Sequence, residues 1–378
     1  MFHLESNATI IDLPAGQFSI LSMALDRPLV LRGRGKATRI YCEPGHHRNW
    51  LFSTKDVDIA DCVIDASAIQ PAAFHRVATV RVDGANAMFR NVVFRGGPTF
   101  DVRVIGNRDG KSSRVMIENC EFEDGTNSQD TFCCCVRCHD NVDLTIVNSR
   151  FDGPESLPGR AGIVHQQKRS HESDTRGSVM VSNCSFRNIG FDDRHTYGAI
   201  DAYSGIDHVR IANNSIVDAK GRGICVKADA SDATVTGNTI TGLHGKHATA
   251  CIAMYGSKLS RIGNRQIVSG NTCQVTERGA KGILVDSSNV DDSAIADGPL
   301  VIGNSVDHDG IGLLVKRTRR MMIANNQFVG GHCGVMIDPH SGEEITINGN
   351  VIRGSRAPQV VDQRPGLMNQ VVGRVVDV

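Results

Sequence analysis

At 378 residues the chain is long enough for two or three ordinary domains, yet Lys plus Arg and Asp plus Glu number 41 each, so no net field draws it to nucleic acid or to an anionic membrane. No apolar run approaches the ~20 residues of a membrane-spanning helix, and the start, Met1-Phe2-His3-Leu4-Glu5, has neither the basic nor the apolar part of a secretory signal. Twelve cysteines without a disulfide-type framework point to a reducing compartment such as the cytoplasm, or to a phage or exported particle.

Residues 1–50 read as opening coils. A strand over Ala8–Leu13, a Pro14-Ala15-Gly16 turn and a strand over Leu29–Gly33 begin the series. Gly33-Arg34-Gly35 lacks the third glycine and the following helix of a dinucleotide fingerprint, so it is a strand turn. Few residues precede the first strand. The end of the stack is therefore expected to be covered by a partner, by a second copy in a homo-oligomer, or by a segment trimmed from the chain.

Residues 51–356 read as regular coils. The phrase Val115-Met116-Ile117-Glu118-Asn119-Cys120-Glu121-Phe122 alternates apolar and polar residues, stops at Asn, and resumes with an apolar residue three places on. The apolar residue three places after each stop recurs at Ile64, Phe94, Phe122, Phe151, Phe186, Ile216, Ile240, Cys273, Val306, Phe328 and Ile352, with a mean spacing of about 29 residues. A Gly-Ile-x-Val phrase lies between markers, as in Gly223–Val226 and Gly282–Val285. Three short strands per period, broken by Asn and Gly, leave no room for a helix. Such a unit buries its apolar face only against its neighbours. The expected fold is all-β, a single right-handed parallel β-helix over 1–378 with roughly 12–13 coils and a last strand and tail in 357–378.

These two phrases together resemble the repeat of the pectate-lyase-like right-handed parallel β-helix superfamily, over nearly the whole chain. That superfamily includes polysaccharide lyases, epimerases, hydrolases, tailspikes and non-catalytic modules. The resemblance implies a carbohydrate polymer or oligomer as partner and, first, a lyase or epimerase acting on an acidic saccharide. A glycoside hydrolase and a non-catalytic scaffold stay open.

Strand alternation places the site. If Ile224 and Val226 face the core, Cys225 and Lys227 face out. The same register gives an outward column Gln166, Tyr203, Lys227, Tyr255, Asp286, Lys316 and Asp338, with Asp201 one outward step before Tyr203. Tyr197, Tyr203 and Tyr255 are three of only four tyrosines. Abstracting a proton beside a uronate carboxylate needs a cation, a base and an acid. The catalytic candidates are His195, Asp201, Tyr203 and Lys227, and the substrate-binding candidates are His165, Lys168, Arg222, Asp229, Tyr255 and Lys316. Long intervals around 168–176 mark inserted loops as a groove wall. Hydrolysis would instead use paired carboxylates, Asp201 with Asp229.

Other motifs point elsewhere. Asp338-Pro339-His340 resembles part of the Asp-Pro-His-Asp motif of mannuronan epimerases, with Ser341 in the fourth place. Lys316-Arg317-Thr318-Arg319-Arg320 is read as a corner able to hold an acidic sugar. Cys133, Cys134, Cys135 and Cys138 have no second pair for zinc and are expected as core filler, while Cys62, Cys120 and Cys184 are expected to stack inward. No cofactor is implied. A Ca²⁺ ion is compatible with the fold, but no Ca²⁺ motif is present.

Overall fold

The computed structural model describes residues 7–20, 23–42, 50–69, 78–84, 86–97, 99–106, 112–125, 133–155, 159–166, 177–191, 197–203, 206–227, 232–255, 265–287, 296–342 and 344–364. The chain divides into two compact units, Met1–Phe191 and Asp192–Val378. Among the described residues there are strands and turns and no helix. None is therefore long and apolar enough to cross a membrane as a helix.

In the first unit each coil supplies three strands. One coil runs through Ser113–Glu118, Glu121–Glu123 and Cys134–His139, and the next through Val142–Val147, Arg150–Asp152 and Gly159–Gln166. Like strands pair in parallel, with Ile117 beside Ile146, Phe122 beside Phe151 and Val136 beside Ile163. Register repeats because a slip of one residue would turn every apolar side chain outward. The aromatic markers stack as expected: ring centroids lie 5.0 Å apart for Phe94 and Phe122, 4.5 Å for Phe122 and Phe151, and 4.6 Å for Phe151 and Phe186. All four rings are buried.

The stops are corners in the left-handed region. Asn119, Asn148 and Asn183 have φ of 53°, 52° and 55°, and Gly237, Gly270 and Gly303 have 64°, 62° and 67°. Asn tolerates this conformation better than other side chains and Gly adopts it without steric cost. The next residue turns inward. In the first unit it is Cys62, Cys120, Ser149 or Cys184, all buried. Burial pushes the thiols of Cys62 and Cys120 up to about 12 and that of Cys184 to about 11.

In the second unit this position is Asn214, Asn238, Asn271, Asn304, Asn326 and Asn350, an amide ladder that the period alone does not reveal. From Asn238 to Asn350, each Oδ1 accepts the backbone N–H and the Nδ2–H of the Asn one coil earlier. For Asn238 on Asn271 both distances are 2.9 Å. The ladder satisfies backbone groups that a corner leaves without strand partners. The signal was available in Asn213-Asn214, Asn325-Asn326 and the Gly-Asn pairs.

A second feature of the first unit was not legible. Arg160 and Asp101 are both fully buried and joined at 2.8 Å. A Cβ on Gly125 would lie 1.5 Å from Arg160 Nη1, and one on Gly97 would lie 1.9 Å from Asp101 Oδ1, so both glycines make room for the pair.

Candidate functional site

From Tyr203 to Lys316, the outward column read from the sequence is the register of one parallel sheet in the second unit. Tyr203 pairs with Lys227, Lys227 with Tyr255, Tyr255 with Asp286, and Asp286 with Lys316, on strands Gly198–Tyr203, Arg222–Lys227, Ala250–Tyr255, Lys281–Asp286 and Ile311–Lys316. Each step is one strand spacing, about 4.8 Å. Residues some 30 positions apart in sequence thus meet.

Tyrosines and cations alternate at the start of this column. Lys227 Nζ stands 5.7 Å from the ring centre of Tyr203 and 5.8 Å from that of Tyr255. A cation so placed is attracted by both ring faces. The Arg222 guanidinium lies 6.0 Å from the Tyr255 ring, and Tyr197 meets Tyr203 edge-on at 5.7 Å. Farther along, Lys316 Nζ is 3.8 Å from Asp286, so that end of the column is an ion pair.

The row behind the column is buried although it faces outward. Asp201 is in register with Cys225, and Cys225 with Ala253. Ala253 packs with Ala250, Leu284 and Leu314 in an apolar cluster on the outer face, flanked by Tyr255, Ile311 and Met336. Asp201 is 1% exposed, and its carboxylate accepts the backbone N–H of Gly198. Arg222 Nη1 donates to Cys225 Sγ at 3.2 Å. Burial works against the Arg222 cation, but Cys225 and Asp201 outweigh it and its pKa stands above the ordinary value. Burial, with Asp201 and Cys225 in support, pushes the Tyr203 phenol up, and burial raises Tyr255 to about 12. Both tyrosines are thereby held as neutral hydrogen-bond donors.

Lys281 belongs to the same face and escaped the sequence reading. It pairs in register with Ala250 and Ile311 in the column that contains Arg222. It is half-buried, and burial together with the nearby Lys316 lowers its pKa. The signal was its place, the residue before the Gly of Gly282-Ile283-Leu284-Val285, which matches Arg222 before Gly223.

The reading of His165 as a substrate contact is corrected. In the first unit, strand alternation turns it inward with Ile163. It is fully buried, its Nε2 lies 2.8 Å from the Val142 carbonyl oxygen, and burial lowers its pKa to about 4. His195, Lys168 and Asp229, with the 168–176 loop, lie outside the described residues. The structure therefore brings together Tyr203, Lys227, Arg222, Tyr255 and the buried Asp201, with Lys316 at the far end.

The remaining motifs resolve into turns and core. Asp338 accepts the N–H of His340 at 2.9 Å, which makes Asp338-Pro339-His340 a capped turn with His340 exposed. In the basic corner, Arg319 and Arg320 both reach Asp297, the former at 3.3 Å. Cys133, Cys134, Cys135 and Cys138 are all buried, as expected of filler. No group of three or more His, Cys, Asp or Glu side chains arranged for a metal ion occurs among the described residues.

A model of the right handed beta helix region family matches residues 170–367. Comparison with curated proteins returns no match. Among solved structures, the Streptococcus pneumoniae surface protein and adhesin PfbA is similar at 15% identity and a TM-score of 0.55, over 93% of this chain and 91% of that one. The tailspike of E. coli bacteriophage HK620, solved with a pentasaccharide, matches at 13% identity and a TM-score of 0.55, over 94% and 72%. The catalytic domain of a GH87 α-1,3-glucanase, solved with nigerose, matches at 11% identity and a TM-score of 0.50, over 97% and 63%. Identities this low speak for the fold alone. The stacked parallel coils, the recurrent corners and a family match over more than half its length agree: the chain belongs to the right handed beta helix region family, and its fold is a right-handed parallel β-helix.

Proposed function

We propose that the second unit binds an acidic saccharide along the outward face running from Tyr203 to Lys316. The observation that carries this reading is Lys227. Its ammonium sits between two tyrosine rings, at 5.7 and 5.8 Å, with no carboxylate in ion-pair reach among the described residues. Lys281 likewise has no acidic partner among the described residues and is partly desolvated. Among the described residues, the face therefore carries more positive charge than its own acids offset. Flat phenol rings at coil spacing suit pyranose faces, and neutral phenols donate to ring hydroxyls. A carboxylate or sulfate on the sugar would supply the missing anion. That two solved structures with this fold hold a pentasaccharide and nigerose is consistent with a saccharide partner.

The test is affinity electrophoresis of the full chain through polygalacturonate, alginate and hyaluronan, with dextran as the neutral control. Retardation by an acidic polymer is expected, weakening with salt. Lys227→Ala should reduce it about tenfold in Kd, as for a cation–π anchor that also meets an anion. Retardation by dextran alone, or an unchanged Kd in Lys227→Ala, would refute the reading.

A second reading is β-elimination or epimerisation on this face. It rests on the Tyr203 phenol, which burial, with Asp201 and Cys225 in support, keeps protonated, so that it can donate a hydrogen bond to a leaving oxygen whose charge Arg222 and Lys227 offset. Arg222 and Lys227 would neutralise the uronate carboxylate, and His195, just ahead of the Tyr203 strand in sequence, is the base this reading assigns. The measurement is the new ultraviolet absorbance of an unsaturated uronate. Tyr203→Phe should abolish most of it and keep the retardation.

A further inference from the structure

The first unit carries a groove of about 300 Å³ on a different sheet, lined by Gln17, Lys36, Ala37, Arg39, Val63, Val93 and Arg95. Its floor follows from register. Gln17 pairs with Arg39, Arg39 with Val63, Val63 with Val93, and Val93 with Glu121, so two valines interrupt a polar outward column. These valines face away from the core, yet they are only 6% and 4% exposed. Lys36 accounts for part of that cover. It lies in the turn before Thr38–Cys42, and its Nζ meets Glu121 Oε1 at 2.7 Å, so the ion pair straps over both intervening coils. Two lining cations are themselves ion-paired, Arg39 with Asp65 at 2.5 Å and Arg95 with Glu123 at 2.9 Å.

We infer that this groove is a binding site for an uncharged sugar, one or two pyranose rings in size, separate from the acidic-saccharide face of the second unit. Charge decides the class. Each of the three cations already faces a carboxylate, so no surplus charge remains to hold an anion. What the groove does offer is donors and acceptors in fixed pairs. The Nε atoms of Arg39 and Arg95 are buried without a hydrogen-bond partner among the described residues, the latter 3.9 Å from Asp124, and the Gln17 side-chain amide lines the groove as donor and acceptor. Adjacent hydroxyls of a pyranose each donate and accept, which matches such an array. The apolar C–H face of the ring would lie against the exposed Ala37 and the rims of Val63 and Val93 that stay open. A volume of about 300 Å³ sits at the small end of ligand pockets and suits a mono- or disaccharide. The Arg39 Nε–H, buried without an acceptor among the described residues, carries a desolvation cost that such a ligand would relieve.

The test is saturation-transfer NMR on the full chain with methyl α-glucopyranoside, methyl α-mannopyranoside, methyl β-galactopyranoside, maltose and, as the charged comparison, glucuronate. At least one neutral probe should give a signal. Val93→Trp fills the floor and should abolish it. Lys36→Ala removes the exposed strap without touching the core and should raise Kd about tenfold, which keeps the test decisive if Val93→Trp fails to fold. Lys227→Ala in the other unit should leave the signal unchanged, so failure of this inference and failure of the acidic-saccharide reading are separately visible. Silence from every neutral probe, an unchanged Kd in Lys36→Ala, or preferential binding of glucuronate at this groove would overturn it.

Discussion

Adjacent residues in one corner should differ sharply in what they contribute. Asn271 is 1% exposed, and its Oδ1 accepts the backbone N–H and side-chain amide of Asn238, both at 2.9 Å. Its Nδ2 donates to Asn304 Oδ1 and to the Val235 carbonyl oxygen, again at 2.9 Å each. Asn271→Ala leaves the buried Asn238 N–H without a partner, at about 1–3 kcal/mol, and removes three further buried bonds worth about 1 kcal/mol each. The expected loss is therefore about 4–6 kcal/mol. Gly270, next to it, has φ of 62°, and a Cβ added there meets nothing within 4 Å. Gly270→Ala thus costs only the left-handed backbone penalty, about 1–2 kcal/mol. Urea unfolding followed by far-ultraviolet circular dichroism measures both losses. Because stacked coils can unravel in segments, exchange of the Asn238 amide hydrogen gives the local readout and should accelerate only in Asn271→Ala. A loss in Asn271→Ala no larger than in Gly270→Ala, with Asn238 still protected, would refute the ladder as a source of stability.

Three further outcomes are expected. Phe122→Ala removes a fully buried ring stacked at 5.0 and 4.5 Å and should cost about 3–5 kcal/mol in the same assay. Arg160→Ala should cost a similar 3–5 kcal/mol, since it strands the buried Asp101 carboxylate, and Asp101→Asn in the same chain should recover part of it. His165 titrates near 4 in the folded chain against about 6.5 when unfolded. Above pH 6.5 both states are neutral; as pH falls from about 6.5 to 4 only the unfolded state gains the proton, so stability should drop by about 3 kcal/mol across that window and level off below it. Urea midpoints across the window check this, and His165→Gln should flatten the dependence.

Much of the fold was legible because a solenoid repeats one local solution. The spacing of Phe94, Phe122, Phe151 and Phe186 announces the stack, and Asn119 or Gly270 announces a corner because few residues tolerate its positive φ. Alternation along Gly-Ile-x-Val then placed Tyr203, Lys227, Tyr255, Asp286 and Lys316 on one outward column, as the register has them. Direction, however, is not exposure. Asp201 and Cys225 point outward and are buried, because an outer apolar cluster forms beside them between coils. Nor does local pattern choose partners across coils. Lys36 with Glu121 and Arg160 with Asp101 join residues whose neighbours in sequence give no hint of each other. Alternation is a property of a few consecutive residues and was readable from them. Burial, ion pairing and the groove over Val63 and Val93 depend on which side chains of distant coils arrive at the same place, and only the tertiary structure decides that.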